Sequence, residues 1–402
     1  MRLFLNTKKI FSVMTRKYFH VLFLLLTFVG CQKADVVSTE TCQYEGNMAY
    51  FQHPKAGDFS SLMEKYRKLG LPGIVALVED QDGLWVGHTG KADISADVDF
   101  LPCHPSKAAS ITKMMVAVLA FKMQEKGDWS LDDKIEAYIS KDIIDRIPNA
   151  DKVSLRQCLQ HTTGFYDIIT DSDFYLSVLN NPNRHWKAED LIRFAFDKES
   201  EFVPGSRAGY SNTNTLLVAM AMDAVLGYSH ARALREEIWS PLNMNDTYYQ
   251  SREPLPSNVA QGYYDLYNDG SILNVSNLIT GSGNGYGGVY STVYDLHTFL
   301  RALFFEKTLI SQESLDEMLV FENENEKRDI GVGVLRPFLD LAVPTSIGHT
   351  GRDLGYSADL FFFPTADNRI MIFMVNYGTD GDTPLREVFW AFEQEMISLV
   401  TE

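Results

Sequence analysis

The sequence is poor in cysteine, with four in 402 residues, and it lacks both Cys-x-x-Cys and His-Glu-x-x-His. The usual zinc spacings are therefore missing, and no metal or other cofactor is implied. Basic runs are also absent beyond residue 20, and the formal charge is −17. A broad nucleic-acid surface needs a basic patch, so that class is set aside. No Gly-x-Ser-x-Gly occurs, which argues against an α/β-hydrolase esterase. The run GSGNGYGG (281–288) lacks Gly-Lys-Ser/Thr and reads as a backbone turn, not a phosphate loop. No repeat of solenoid period is present. With 45% hydrophobic and 22% charged residues, the composition is that of a folded globular chain, not a disordered one.

The one long apolar run, Val21 to Val29, follows Arg16 and Lys17. It is too short for a membrane-spanning helix and reads as an export signal covering residues 1–30. FVGC, ending at Cys31, resembles a bacterial lipobox, in which the cysteine is lipidated. The expectation is an exported lipoprotein, periplasmic or on the cell surface, held to a membrane through Cys31. Residues 31–55 are polar and without periodicity, and are expected to form a tether. Cys42, Cys103 and Cys158 are odd in number once Cys31 carries lipid. They read as inert buried thiols, not a disulfide framework.

The remaining chain, 56–402, alternates between patterns. Leu62, Tyr66 and Leu69 lie at helical spacing within Phe59 to Leu69. Ile74 to Val78 and Leu84 to His88 flank Asp82-Gly83 as a hairpin. Ser110 to Lys126 is helical, with Gly127 as its cap. Strand patterns return at Ser357 to Phe363 and Arg369 to Asn376, and a last helix starts at Thr383-Pro384. The fold class is α/β: a mostly antiparallel sheet flanked by helices, built from about 56–107 and 283–402. An all-helical lobe, about 108–282, is inserted into it.

Three short elements carry chemistry. Ser110-Ile111-Thr112-Lys113 places a hydroxyl and an amine on one face at a helix start, where free N–H groups favour negative charge. Tyr210-Ser211-Asn212 is the only Tyr-x-Asn. A tyrosine beside an ammonium can have a lowered pKa and shuttle protons. Gly348-His349-Thr350-Gly351 precedes the C-terminal strands, and its glycines let a ligand backbone approach closely. His161, in QHTTG, reads as structural.

In this order the elements resemble the serine β-lactamase and penicillin-binding-protein superfamily. PGIVALVEDQDG, GDWSLDDKIEAYI, LRQCLQHTTGF, FVPGSRAGYSN, YGGVYSTVYDLHTFL and GHTGRDLGYSADLFFFP look like family blocks in family order. The resemblance implies roles. Ser110 would attack a carbonyl and become acylated. Lys113 and Tyr210 would manage its proton, with the choice of base left open. Asn212 would hold the substrate amide, and His349 and Thr350 would bind substrate and the proton network. The backbone N–H groups of Ser110 and of Arg352, which follows Gly351, would form the oxyanion hole. Class C β-lactamases usually carry Lys-Thr-Gly where this chain has His349-Thr350-Gly351. His-Thr-Gly is similar to the D-alanyl-D-alanine carboxypeptidase and esterase/D-aminopeptidase branch. It implies a small peptide or ester substrate, cell-wall peptides included. A β-lactamase, or a sensor that deacylates slowly, is the competing reading. A lipid-anchored adhesion or carbohydrate-binding protein is another, and it would leave the ordered motifs unexplained.

Overall fold

A computed structural model describes residues 36–44, 46, 52–379 and 381–402. The expected signal and the expected lipidation site, Cys31, lie outside the described residues. Ser38–Glu402 forms one unit.

The first hairpin pairs β1 (Gly73–Asp80) with β2 (Gly83–Asp93). Asp80 faces Gly83, so Gln81-Asp82 is a two-residue turn, and the Asp80 carboxylate accepts the Asp82 N–H at 2.8 Å. Short strands follow: β3 (Val98–Asp99), β4 (Ser106–Ala109), β5 (Tyr248–Tyr249), β6 (Tyr263–Tyr264), β7 (Leu273–Asn274) and β8 (Val289–Ser291). The chain then lays down β9 (Glu322–Asn325), β10 (Arg328–Ile330), β11 (Leu335–Pro337), β12 (Ile347–Asp353), β13 (Tyr356–Phe363) and β14 (Arg369–Val375). Nine strands form an antiparallel sheet in the order β3-β2-β1-β14-β13-β12-β11-β10-β9. β1 beside β14 joins the two ends of the chain, as the sequence pattern implied. The inserted segment is mostly helix, but it also carries β5, β6 and β7.

Strand periodicity of two divides the core into two layers. Ile74, Ala76 and Val78 face the helices Ala56–Lys68 and Pro384–Thr401. Val75 and Leu77 face the opposite layer, with the helix Thr112–Lys126. That helix is apolar all round, and Met114 to Phe121 are each at most 1% exposed. Its N-terminus therefore opens in the middle of the protein. Among the described residues, no helix is long and apolar enough to cross a membrane.

Three expectations are corrected. Residues 38–44 and 52–55 are not a free tether. Thr39 donates its N–H to Asp93 at 3.0 Å and its hydroxyl to the Val259 carbonyl at 2.7 Å, and His53 pairs with Asp80 at 2.9 Å. An irregular segment satisfies its backbone against the body without leaving a periodic trace. Second, Cys42 and Cys103 form a disulfide, and Cys158 is the buried free thiol. Parity says nothing about which pair is adjacent. Third, Leu69 is 53% exposed, because the helix ends at Lys68 and Phe59 and Met63 fill the buried face instead.

Candidate active site

β4 delivers Ser110 to a turn just ahead of the helix Thr112–Lys126. Ala109 has φ +47°, a left-handed conformation that costs a side-chain-bearing residue about 1–2 kcal/mol. The Thr112 hydroxyl helps to hold it by donating to the Ala109 carbonyl at 2.6 Å. β12 lies against this turn. A Cβ on Gly351 would stand 2.1 Å from the Ala108 carbonyl oxygen, so only glycine fits. The close approach is thus by the protein's own β4, where the sequence suggested a ligand.

Lys113 is fully buried. Its Nζ lies 3.0 Å from Ser110 Oγ, 2.7 Å from Asn212 Oδ1 and 2.6 Å from the Tyr286 carbonyl oxygen. Burial lowers its pKa to about 7, against the opposing charges of Asp167 and Asp353. The glycine-rich run is the expected turn beside the site, and it is what presents the Tyr286 carbonyl.

Tyr210 stacks on His161, with ring centroids 4.4 Å apart and planes within 15°. Its N–H donates to Glu324 at 2.9 Å. Its hydroxyl is buried beside the Ser110 hydroxyl. Burial raises its pKa, with the Ser110 hydroxyl and the Arg328 charge working the other way. The expected lowering is corrected: loss of water around the phenol outweighs the cations near its ring. His161 is more than a filler. Its Nδ1 accepts the Ser211 N–H at 3.1 Å and it props the Tyr210 ring.

Asn212 opens the helix Asn212–Leu226. Its side chain is spent between Lys113 and Asp167, to which Nδ2 donates at 3.0 Å. His349 is 1% exposed and donates from Nδ1 to the Thr350 carbonyl at 2.5 Å. Burial first, then Lys113, pushes its pKa well down, so the ring is neutral. It packs 6.1 Å from the Tyr210 ring, and it is not among the residues lining the cavity, whereas Thr350 is. Arg352 also borders the cavity, with its guanidinium held by Asp359 and Glu393 at 2.7 Å each.

The cavity beside Ser110 measures about 200 Å³. Ile169, Phe174 and Tyr175 give it an apolar wall, and Asp167, Arg328 and Asp353 add charge.

Residues 59–391 match the family model described as Beta-lactamase. The protein is a member of the beta-lactamase family. It is 26% identical over 318 residues to Penicillin-binding protein 4* of Bacillus subtilis, covering 74% of this chain and 66% of that one. It is 24% identical to the D-alanyl-D-alanine-carboxypeptidase/endopeptidase AmpH of Escherichia coli, over 57% of each. The chain thus spans less than two thirds of these relatives' lengths. A D-stereospecific amidohydrolase from Streptomyces superposes with TM-score 0.72 at 26% identity, covering 83% of this chain and 97% of that one. The D-amino acid amidase of Ochrobactrum anthropi shares the fold, with TM-score 0.74 at 20% identity, covering 86% and 97%.

Within this family member the structure gathers Ser110, Tyr210, Asn212 and Thr350 around one cavity, with Lys113 buried against Ser110. It adds Asp167, Arg328 and the Tyr286 carbonyl, which sequence reading missed. Asp167 lies two residues beyond the LRQCLQHTTGF block (GFYD), and a carboxylate so near a motif was the available signal. Nothing in the sequence marks Arg328.

Proposed function

We propose that the protein hydrolyses amide or ester bonds through an acyl-enzyme on Ser110, with Lys113 as the base for acylation. One observation carries this. A neutral amine has two N–H groups and one lone pair. Both N–H groups of Lys113 have carbonyl acceptors, Asn212 Oδ1 and the Tyr286 oxygen, so the lone pair is left for the Ser110 hydroxyl. A pKa of about 7 makes that neutral form available near neutrality. Tyr210 stays protonated, and its hydroxyl, beside that of Ser110, suits donation to the leaving group. In acylation Ser110 Oγ bonds to the carbonyl carbon and its proton passes to Lys113. The oxyanion is held by the Ser110 and Arg352 N–H groups, the leaving group departs with a proton, and water then cleaves the ester.

For substrate class, peptides or amides ending at a D-amino acid fit best. The named activities of AmpH and of the Streptomyces amidohydrolase support that reading. A neutral His349 also leaves the third motif without the cation that a β-lactam carboxylate docks on. Export and anchoring through Cys31 complete the proposal, with globomycin-sensitive processing as their check. The activity test is a panel on residues 38–402 with a Ser110→Ala control. A D-Ala-D-Ala peptide or p-nitrophenyl ester should beat nitrocefin in kcat/KM. A tenfold advantage for nitrocefin would make it a β-lactamase. Acylation by penicillin without turnover of any substrate would make it a sensor.

A further inference from the structure

Asp167 lies 45 positions before Asn212 in the chain, and the family motifs do not include it. It is 7% exposed, yet it borders the cavity. Its Oδ1 accepts the backbone N–H of Asn212 at 3.1 Å and that of Ile169 at 3.3 Å. Its Oδ2 accepts Asn212 Nδ2 at 3.0 Å. Every one of these partners is a donor, which is the chemistry of a carboxylate. At the far end of Asn212 stands Lys113, which as an ammonium only donates.

An asparagine amide has one accepting end and one donating end, and rotation by half a turn exchanges them. Here the exchange would put Nδ2 against Lys113 and Oδ1 against the carboxylate, two mismatches at once. We propose that Asp167 is a positioning residue: it fixes the Asn212 carbonyl toward Lys113 and so keeps the Lys113 lone pair on Ser110. The inference rests on Lys113 being the base.

The consequence is specific. With asparagine at 167, an Nδ2 group faces Asn212 and the amide of Asn212 turns round. Its N–H then points at Lys113, and a neutral Lys113 spends its lone pair there instead of on Ser110. The loss of negative charge also makes the ammonium harder to hold. Other groups around Lys113 do not supply the same control. Asp353 acts at a distance, and the rings of Tyr210 and Tyr286 lie 5.0 and 5.9 Å from Nζ. Burial keeps both phenols protonated and keeps His161 and His349 neutral. Arg328 is a fixed cation over the Tyr210 ring, at 5.2 Å.

The test is the acylation rate against pH, read from the burst with a p-nitrophenyl ester, for wild type, Asp167→Asn, Asp167→Asn/Asn212→Asp and Lys113→Met. Wild type should rise through an inflection near 7, where Lys113 loses its proton. In Asp167→Asn the plateau should drop roughly tenfold or more and the inflection should move down by roughly one unit. The double variant places the carboxylate directly against Lys113, so its inflection should move above that of wild type. A plateau that drops with the inflection unmoved would reduce Asp167 to a structural prop and overturn the proposal. So would a double variant titrating like wild type, and that variant decides alone should Asp167→Asn not fold. Separately, Lys113→Met acylating at the wild-type rate would remove the base itself, whatever Asp167 does.

Discussion

Lys107 and Lys113 stand six residues apart, on either side of the turn that carries Ser110, and both are at most 1% exposed. Lys107 has a carboxylate beside it: Asp353 Oδ2 lies 3.3 Å from its Nζ, and the faces of Tyr290 and Tyr356 lie 5.6 and 5.1 Å away. Lys113 touches a hydroxyl and two carbonyl-type oxygens, and no carboxylate. Charge in contact decides what a buried lysine is for. Without a counter-ion at contact, desolvation wins and the amine titrates near 7. With one, the side chain is a fastener. Asp353 Oδ1 also takes the Thr280 hydroxyl at 2.7 Å and the Leu354 N–H at 2.8 Å. Lys107 thereby ties β4 to the end of β12 and to the segment leading into the glycine-rich turn.

The largest effect should come from breaking the chemistry of the pair. Lys113→Met should lower acylation by roughly a thousandfold, within the range of a lost general base. Its thermal midpoint should hold or rise, because an amine without a contact counter-ion leaves the core. Burst kinetics and a melting curve on the same sample check both halves. A melting point that collapses along with activity would mean that Lys113 is a fastener too, and the contrast would be gone.

Breaking the fastener comes next. Lys107→Met leaves the half-buried Asp353 without its cation and should cost up to about 3 kcal/mol, the figure for a broken buried pair. Adding Asp353→Asn should restore part of that loss, since no orphaned charge then remains. Urea midpoints for the two single variants and the double give the coupling. The folded Lys107→Met enzyme should keep most of its acylation rate, because no step uses its amine. If instead it loses as much as Lys113→Met, the division of labour between the two lysines does not hold.

What the sequence disclosed about this pair was uneven, for a physical reason. Ser110 and Lys113 were legible because three-residue spacing at a helix start is a local property. The strand pair read at 357–363 and 369–376 differs from β13 and β14 by one residue at an end. The groups that surround Lys113 come from distant places: a main-chain carbonyl at Tyr286 and a carboxylate at Asp167 reaching it through Asn212. A main-chain acceptor has no residue identity to read. The direction of a side chain on β12 was equally hidden: the Arg352 guanidinium reaches Asp359 and Glu393.

The smallest predicted effect sharpens the contrast in the folding equilibrium itself. Lys113 titrates near 7 when folded and at 10.5 in an unstructured chain. Below pH 7 both states carry the proton, and the cost of burying the charge is fully present. Above that, the unfolded state binds more protons than the folded state, so raising the pH favours folding. The slope is about 1.4 kcal/mol per pH unit, and the gain stops where the unfolded lysine also loses its proton. Other groups titrate in the same window, so the quantity to measure is a difference: wild type minus Lys113→Met, from urea midpoints at matched pH. That difference should be level below pH 7 and should grow in favour of wild type by about 2 kcal/mol toward about pH 8.5. A level difference across the whole window would mean that folded Lys113 keeps its proton, and the amine facing Ser110 would then have no lone pair to offer at neutral pH.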